Sequence, residues 1–150
     1  AIGQLVLWSR TLDPNLKGIN TLLDARVRKI ALANPVHAPY GQKAVEILRH
    51  YQLYEQLQPK LVLGENIAQA ANYAATGAAD AGLLALSLAR SPELRRQGRY
   101  YLIPQEAYTP LNQSFVVLKK APRQATQFTD FVRSKQGVAI LQAFGFNLPR

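Results

Sequence analysis

The sequence predicts an α/β protein, a sheet built with crossover helices. Three observations carry that class. Short β-type runs alternate with stretches whose apolar residues recur at helical spacing. Two of the strand-like runs end in a short loop that opens straight into a helix, as βα units do. The chain closes on two helical stretches, the second stopped by Gly145 at the C′ position.

Taken in order, Leu5-Val6-Leu7-Trp8 reads as the first strand. A turn-rich segment from Leu12 to Gly18 leads into a short helix near Ile19 to Ala25, and Lys29 to Ala33 forms the next strand. From Pro39 the pattern is helical, with Ala44, Ile47, Leu48 and Tyr51 on one face as core. Lys60 to Gly64 is a buried-type strand, and Ile67, Ala70, Ala71 and Ala74 mark a helix that Thr76-Gly77 stops. Asp80 to Leu86 and Arg99 to Ile103 supply two more strands, the latter closed by Pro104. Tyr108 to Gln113 is a connector and Ser114 to Leu118 a strand beyond it. Phe128, Phe131 and Val132 then mark one helix, and Val138, Leu141 and Phe144 another. No internal repeat or low-complexity tract is present.

At 150 residues and 48% hydrophobic content, one well-packed domain is expected and disorder is not. The longest apolar run, Ala81 to Ala89, falls far short of the roughly 20 residues of a membrane span. Ala1 leads directly into an apolar strand, without the basic start and cleavage site of a secretory signal. The chain contains no methionine, not even an initiator, so residues upstream of Ala1 are expected in the intact protein. Without cysteine there is no disulfide scaffold, thiolate metal site or cysteine nucleophile. Lys and Arg outnumber Asp and Glu 18 to 9. They are scattered and do not interleave with aromatics, which fits a solvated basic face that steers small anions better than it fits a nucleic-acid platform.

Catalysis finds few candidates. His37 and His50 have no carboxylate at metal-ligand spacing, so no metal site is expected, and His50 reads as a solvent-facing helix residue. No nucleophile elbow, Walker loop or dinucleotide fingerprint occurs. Glu65 and Asp80 could pair as acid and base, but a carboxylate at a helix start and another in a turn account for them. The protein is read as a non-enzyme that needs no cofactor. Two helix starts are more coherent: Ala33 to Gly41 through Ala38-Pro39, and Leu63-Gly64-Glu65-Asn66-Ile67. Unpaired N–H groups at the carboxyl ends of strands form a small-anion site, although ordinary βα loops look the same.

The segments Asn34-Pro35-Val36-His37-Ala38-Pro39-Tyr40-Gly41, Gly64-Glu65-Asn66-Ile67, Gly77-Ala78-Ala79-Asp80-Ala81-Gly82-Leu83 and Phe144-Gly145-Phe146 resemble, in order and spacing, the periplasmic molybdate-binding proteins of ABC transporters. That resemblance implies a type II periplasmic-binding-protein fold of two lobes, with an oxyanion held between them by neutral donors. On the matching positions, backbone N–H groups of Tyr40 and Ile67 are the ligand donors, with Gly41 and Asn66 beside them. It further implies molybdate or tungstate as ligand, a membrane permease as partner, and a periplasmic or lipid-anchored extracytoplasmic location. Ala85 stands where some members carry a tyrosine hydroxyl. The serine- and threonine-bearing helix starts of the family's first lobe have no counterpart here. The chain is therefore expected to hold a crossover strand (1–8), a complete second lobe (9–107) and a C-terminal segment (108–150) that returns to the first lobe. With half a cleft it should bind molybdate weakly, and its uncovered C-terminal helices could pair two copies into a dimer. The alternative is the effector-binding domain of a transcription regulator, which shares the two-lobe architecture.

Overall fold

A computed structural model describes residues 1–149. β1 (Ile2–Gly3) and β2 (Leu5–Ser9) open the chain, followed by a 3-10 turn (Gly18–Leu23) and β3 (Ile30–Ala33). Then come α1 (Pro39–His50), α2 (Tyr54–Leu57), β4 (Leu61–Gly64), α3 (Ile67–Thr76), β5 (Ala81–Ala85), α4 (Leu86–Ala89), α5 (Pro92–Gln97) and β6 (Arg99–Leu102). β7 (Leu111–Asn112), α6 (Arg123–Arg133) and α7 (Lys135–Ala143) complete the chain.

Five strands form one sheet in the order β4-β3-β5-β2-β6. β3 is parallel to β4 and β5, and β2 runs antiparallel to both β5 and β6. The sheet thus has four strands pointing one way and β2 threaded between two of them in reverse. The units β3-α1-β4 and β4-α3-β5 step across the sheet in opposite directions, so right-handed crossovers place their helices on opposite faces. The packing agrees. Ala44, Ile47 and Leu48 of α1 join Leu5, Leu7, Ile30, Leu32 and Leu83 in one core. Ala70, Ala71 and Ala74 of α3 join Val6, Trp8, Ala31 and Leu84 in the other. Alternation along β2 and β3 feeds both layers, because successive side chains leave a strand on opposite faces.

The last third of the chain is built differently. β1 and β7 form a separate antiparallel pair, to which Asn147 adds a bridge at Ile2. α6 has no buried residue, and Phe128 and Phe131 are 65% and 43% exposed. α7 ends in a Schellman motif, Phe146 N–H to Leu141 C=O at 3.0 Å and Gly145 N–H to Gln142 C=O at 2.9 Å, with Gly145 left-handed as its position requires. Arg90, at the end of α4, donates to the carbonyls of Gln142 and Ala143 and so ties that helix end to α4.

Several expectations are corrected. Ser114 to Leu118 is not a strand: no neighbouring strand lies alongside to take up its backbone groups among the described residues, and Val116 is 83% exposed. Pairing falls instead on Leu111–Asn112, inside the expected connector, and on Ile2–Gly3 ahead of the expected first strand. The helix near Ile19 to Ala25 is a 3-10 turn that Asp24 ends in an extended conformation. The apolar run from Ala81 divides into β5 and the short helix α4, so Leu86 opens a helix and does not end a strand. Glu65 precedes the helix, with Asn66 as its N-cap.

Leu7 is fully buried and paired on both sides, with Leu83 and Tyr101. Leu7→Ala should lower stability by about 2–5 kcal/mol in urea titration, whereas Leu16→Ala at an 82% exposed position should stay within about 0.5 kcal/mol.

Candidate functional site

The carboxyl ends of β3 and β4 lie level, because Ala33 is in register with Gly64. Their loops are tied together just beyond the sheet. Asn34 N–H donates to Gly64 C=O at 2.7 Å, and His37 Nε2 lies 2.8 Å from Glu65 C=O, which as an acceptor requires the proton on Nε2. Asn34 also shapes its own loop: its Oδ1 accepts from Val36 N–H at 3.0 Å and its carbonyl from Ala38 N–H at 2.9 Å.

At the start of α1, the N-cap Ala38 has no side-chain oxygen and Pro39 has no N–H. Gly41 and Gln42 donate to Ala38 C=O, which leaves Tyr40 N–H without an acceptor among the described residues. Glycine is needed next in the chain, since a Cβ at position 41 would lie 2.1 Å from Ala33 C=O. That contact lays the first turn of α1 directly on the end of β3. At α3 the Asn66 side chain accepts from Gln69 N–H at 2.9 Å, while Gln69 Oε1 accepts from Glu65 N–H at 2.7 Å, a variant of the capping box. The cap satisfies Gln69, and the N–H groups of Ile67 and Ala68 remain without an acceptor among the described residues. Asn66 oxygen is thus already engaged as a cap.

Among the described residues no Lys or Arg side chain hydrogen-bonds to either loop. Lys43, one turn beyond Tyr40, is turned away: its ammonium binds Glu46 at 2.7 Å and the Thr109 hydroxyl. Such a site can hold an anion through oriented amides and helix N-terminal dipoles, without a countercharge. Ala85 ends β5 as a buried residue and offers no hydroxyl. Among the described residues no group of three metal-ligating side chains exists.

The side chains of α1 carry features that the sequence pattern missed. Tyr40 hydroxyl accepts from Gln113 Nε2 at 3.1 Å and lies against Gly3, so α1 touches β1 and the residue that follows β7. Burial pushes this phenol above its ordinary value. Glu46 accepts from Thr109 N–H at 2.7 Å and from its hydroxyl at 2.8 Å. Burial raises that carboxyl, but the bonds from Lys43 and Thr109 outweigh it and hold it below the ordinary range. Lys43-Glu46 spacing is readable as an i, i+3 pair, whereas nothing in the sequence marks Thr109 as its third member.

A family model described as bacterial extracellular solute-binding protein matches residues 1–147. The chain belongs to that family. It is 36% identical over 149 residues to the molybdate-binding protein ModA of Rhodobacter capsulatus, covering 97% of this chain and 57% of that protein. To the ModA protein of Azotobacter vinelandii it is 33% identical over 150 residues, covering 99% of this chain and 60% of that one. A solved structure of an Azotobacter vinelandii periplasmic molybdate-binding protein superposes with a TM-score of 0.86 at 34% identity, over 100% of this chain and 67% of that chain. The chain therefore spans less than two thirds of the length of these two curated relatives. None of the three is a transcription regulator, and the regulator alternative finds no support in them.

The Glu46 geometry fixes a pH dependence. A carboxyl depressed in the native state contributes stability above its unfolded pKa of roughly 4.3 and loses it as pH falls through the lower native value. Urea midpoints of Glu46→Gln and the parent should differ at pH 7 and draw together as the pH falls below the ordinary carboxylate range.

Proposed function

We propose that this chain is the second lobe and C-terminal tail of the solute-binding component of an ABC importer, one that captures molybdate- or tungstate-type oxyanions. The observation that carries the reading is the pair of backbone donors, Tyr40 N–H and Ile67 N–H, that have no acceptor among the described residues and stand on adjoining helix starts at the carboxyl edge of the sheet. The relatives' ligand supplies the oxyanion; the absence of any lysine or arginine bonded to the loops among the described residues supports the mode of binding. A dianion there is held by dipoles, so shape and the number of hydrogen bonds separate molybdate from the smaller sulfate. Gly41 lets the donor wall approach the strand end, and Asn66 sets the direction of the second helix start. The protein captures and delivers a solute to a membrane permease outside the cytoplasm and performs no chemistry on it.

In this reading residues 1–8 cross from the first lobe, 9–107 form the second lobe, and 108–150 return to complete the first. The exposed faces of Phe128, Phe131 and Phe144, and a cavity of about 530 Å³ lined by Phe115, Val132, Val138 and Leu141, are then the inner surface of that first lobe. In the isolated chain a second copy can cover them.

Calorimetry separates the parts of this proposal. The 150-residue chain alone should bind molybdate weakly or undetectably, and tight binding by it would sink the half-cleft reading. In a chain with the first lobe restored, Tyr40→Pro removes one donor to a charged ligand and should weaken binding about tenfold or more. Tyr40→Ala keeps the N–H and is the control, and equal affinity of the Pro variant and the parent would count against the assignment. Light scattering tests the uncovered face, for which a dimer is expected and Phe128→Glu should shift the population to monomer.

A further inference from the structure

We infer that the chain carries a second anion site, at the opposite end of the sheet from the Tyr40 and Ile67 donors, in a polar pocket lined by Arg10, Arg96 and Arg99 that takes ligands with two or more phosphate groups. Topology gathers the charge there. β2 runs against the other four strands, so its end at Ser9 lies beside the start of β6, with Ser9 in register with Arg99. Arg10 follows Ser9, and Arg96 and Arg99 flank the junction of α5 and β6. Arg28 and Lys29, just ahead of β3, belong to the same end.

Gly98 makes the pocket a built feature of the fold. A Cβ there would lie 2.4 Å from the Trp8 ring and 2.5 Å from Ser9 C=O, so only glycine lets the α5-β6 junction close on the end of β2. The resulting cavity is about 310 Å³ and polar, lined by Arg10 to Asp13 and Arg96 to Arg99.

The charges in it do not balance. Asp13 is the only carboxylate of the lining; it binds Arg99 at 3.1 Å and accepts from the N–H and amide of Asn15. Arg10 reaches Ala75 C=O only at 3.5 Å, and Arg96 has no hydrogen-bond or ion-pair partner among the described residues. Arg10 and Arg96 therefore line one pocket, and among the described residues neither is paired with a carboxylate. Their planar forks match phosphate oxygens pairwise, which a lysine ammonium does not do. No aromatic side chain lines the pocket for a base to stack on, so its chemistry is that of phosphate groups and not of nucleic acid.

The chain has one tryptophan, and it packs behind Gly98. Its fluorescence therefore reports occupancy of the pocket. Inorganic pyrophosphate titrated into the 150-residue chain at low salt should give a saturable change with one ligand bound per chain, and orthophosphate should bind at least fivefold more weakly. Arg96→Ala should weaken pyrophosphate about tenfold or more, and Arg28→Ala, which removes the same charge outside the pocket, by less than threefold. No saturation, or equal weakening by both variants, would overturn the site in favour of a diffuse basic field. Phosphatidylglycerol vesicles resolve the source of the phosphate: co-sedimentation that pyrophosphate competes away assigns a lipid headgroup, and pyrophosphate binding without co-sedimentation assigns a soluble ligand. Molybdate should leave the titration unchanged, and displacement of pyrophosphate by equimolar molybdate would overturn a separate site. Because the inference does not depend on the oxyanion reading, failure of either leaves the other standing.

Discussion

The reversed strand β2 is the constraint on which the rest of the molecule depends. All five of its residues are buried, and it is hydrogen-bonded on both edges, to β5 and to β6. Leu5 and Leu7 enter the core under α1, while Val6 and Trp8 enter the core under α3. One short segment thus closes both layers and satisfies two sheet edges that would otherwise lie open. Its only polar residue, Ser9, is fully buried yet satisfied: the hydroxyl donates to Asp80 C=O at 2.8 Å and accepts from Leu12 N–H at 3.2 Å. That last bond turns the chain out of the sheet and sets the start of the arginine pocket.

From β2 the structure reaches the proposed anion site through α1. Leu5 N–H donates to the buried Tyr108 hydroxyl at 3.1 Å, which fixes the segment leading to Thr109. Thr109 in turn receives Lys43 and binds Glu46, on the outward side of the helix whose first turn presents Tyr40 N–H. The helix is therefore held at both ends of its first two turns, by Gly41 against the strand and by this network against the return segment. A donor that must meet an anion at hydrogen-bond distance gains from such fixation, since little order remains to be imposed on binding.

Much of this was legible in the sequence, and the reasons are local. The helix after Ala38-Pro39 follows from its apolar periodicity and its proline at the first position; the helix after Asn66 follows from a side chain that can cap. Gly77 and Gly145 terminate helices in left-handed conformations as their positions suggest. What was not legible depends on partners. Ser114 to Leu118 has the composition of a strand, but a strand exists only beside another strand, and none adjoins it among the described residues. Leu111–Asn112 has no strand signature and pairs because Ile2–Gly3 lies next to it. Tyr40 shows the same division at one residue. That its N–H lacks an intrahelical acceptor is readable from the helix start, while the contact of its hydroxyl with Gln113 depends on chain folded more than 70 positions away.

The separation of charge across the sheet has a physical logic on the proposed function. α1 and α3 both begin at the carboxyl edge and run back along the sheet, so their positive dipole ends meet at the loops and their negative ends point to the opposite edge. At that edge arginine complements the helix ends, as Arg10 does at the Ala75 carbonyl. At the loops a full positive charge would bind any small anion, and it would retain it by attraction that does not depend on shape. Amide donors give a weaker field with fixed directions, so a ligand is held well only when its oxygens meet them. With no lysine or arginine bonded to these loops among the described residues, the proposed site trades strength for selection by geometry, while the net charge of +9 on the chain still draws anions toward the surface.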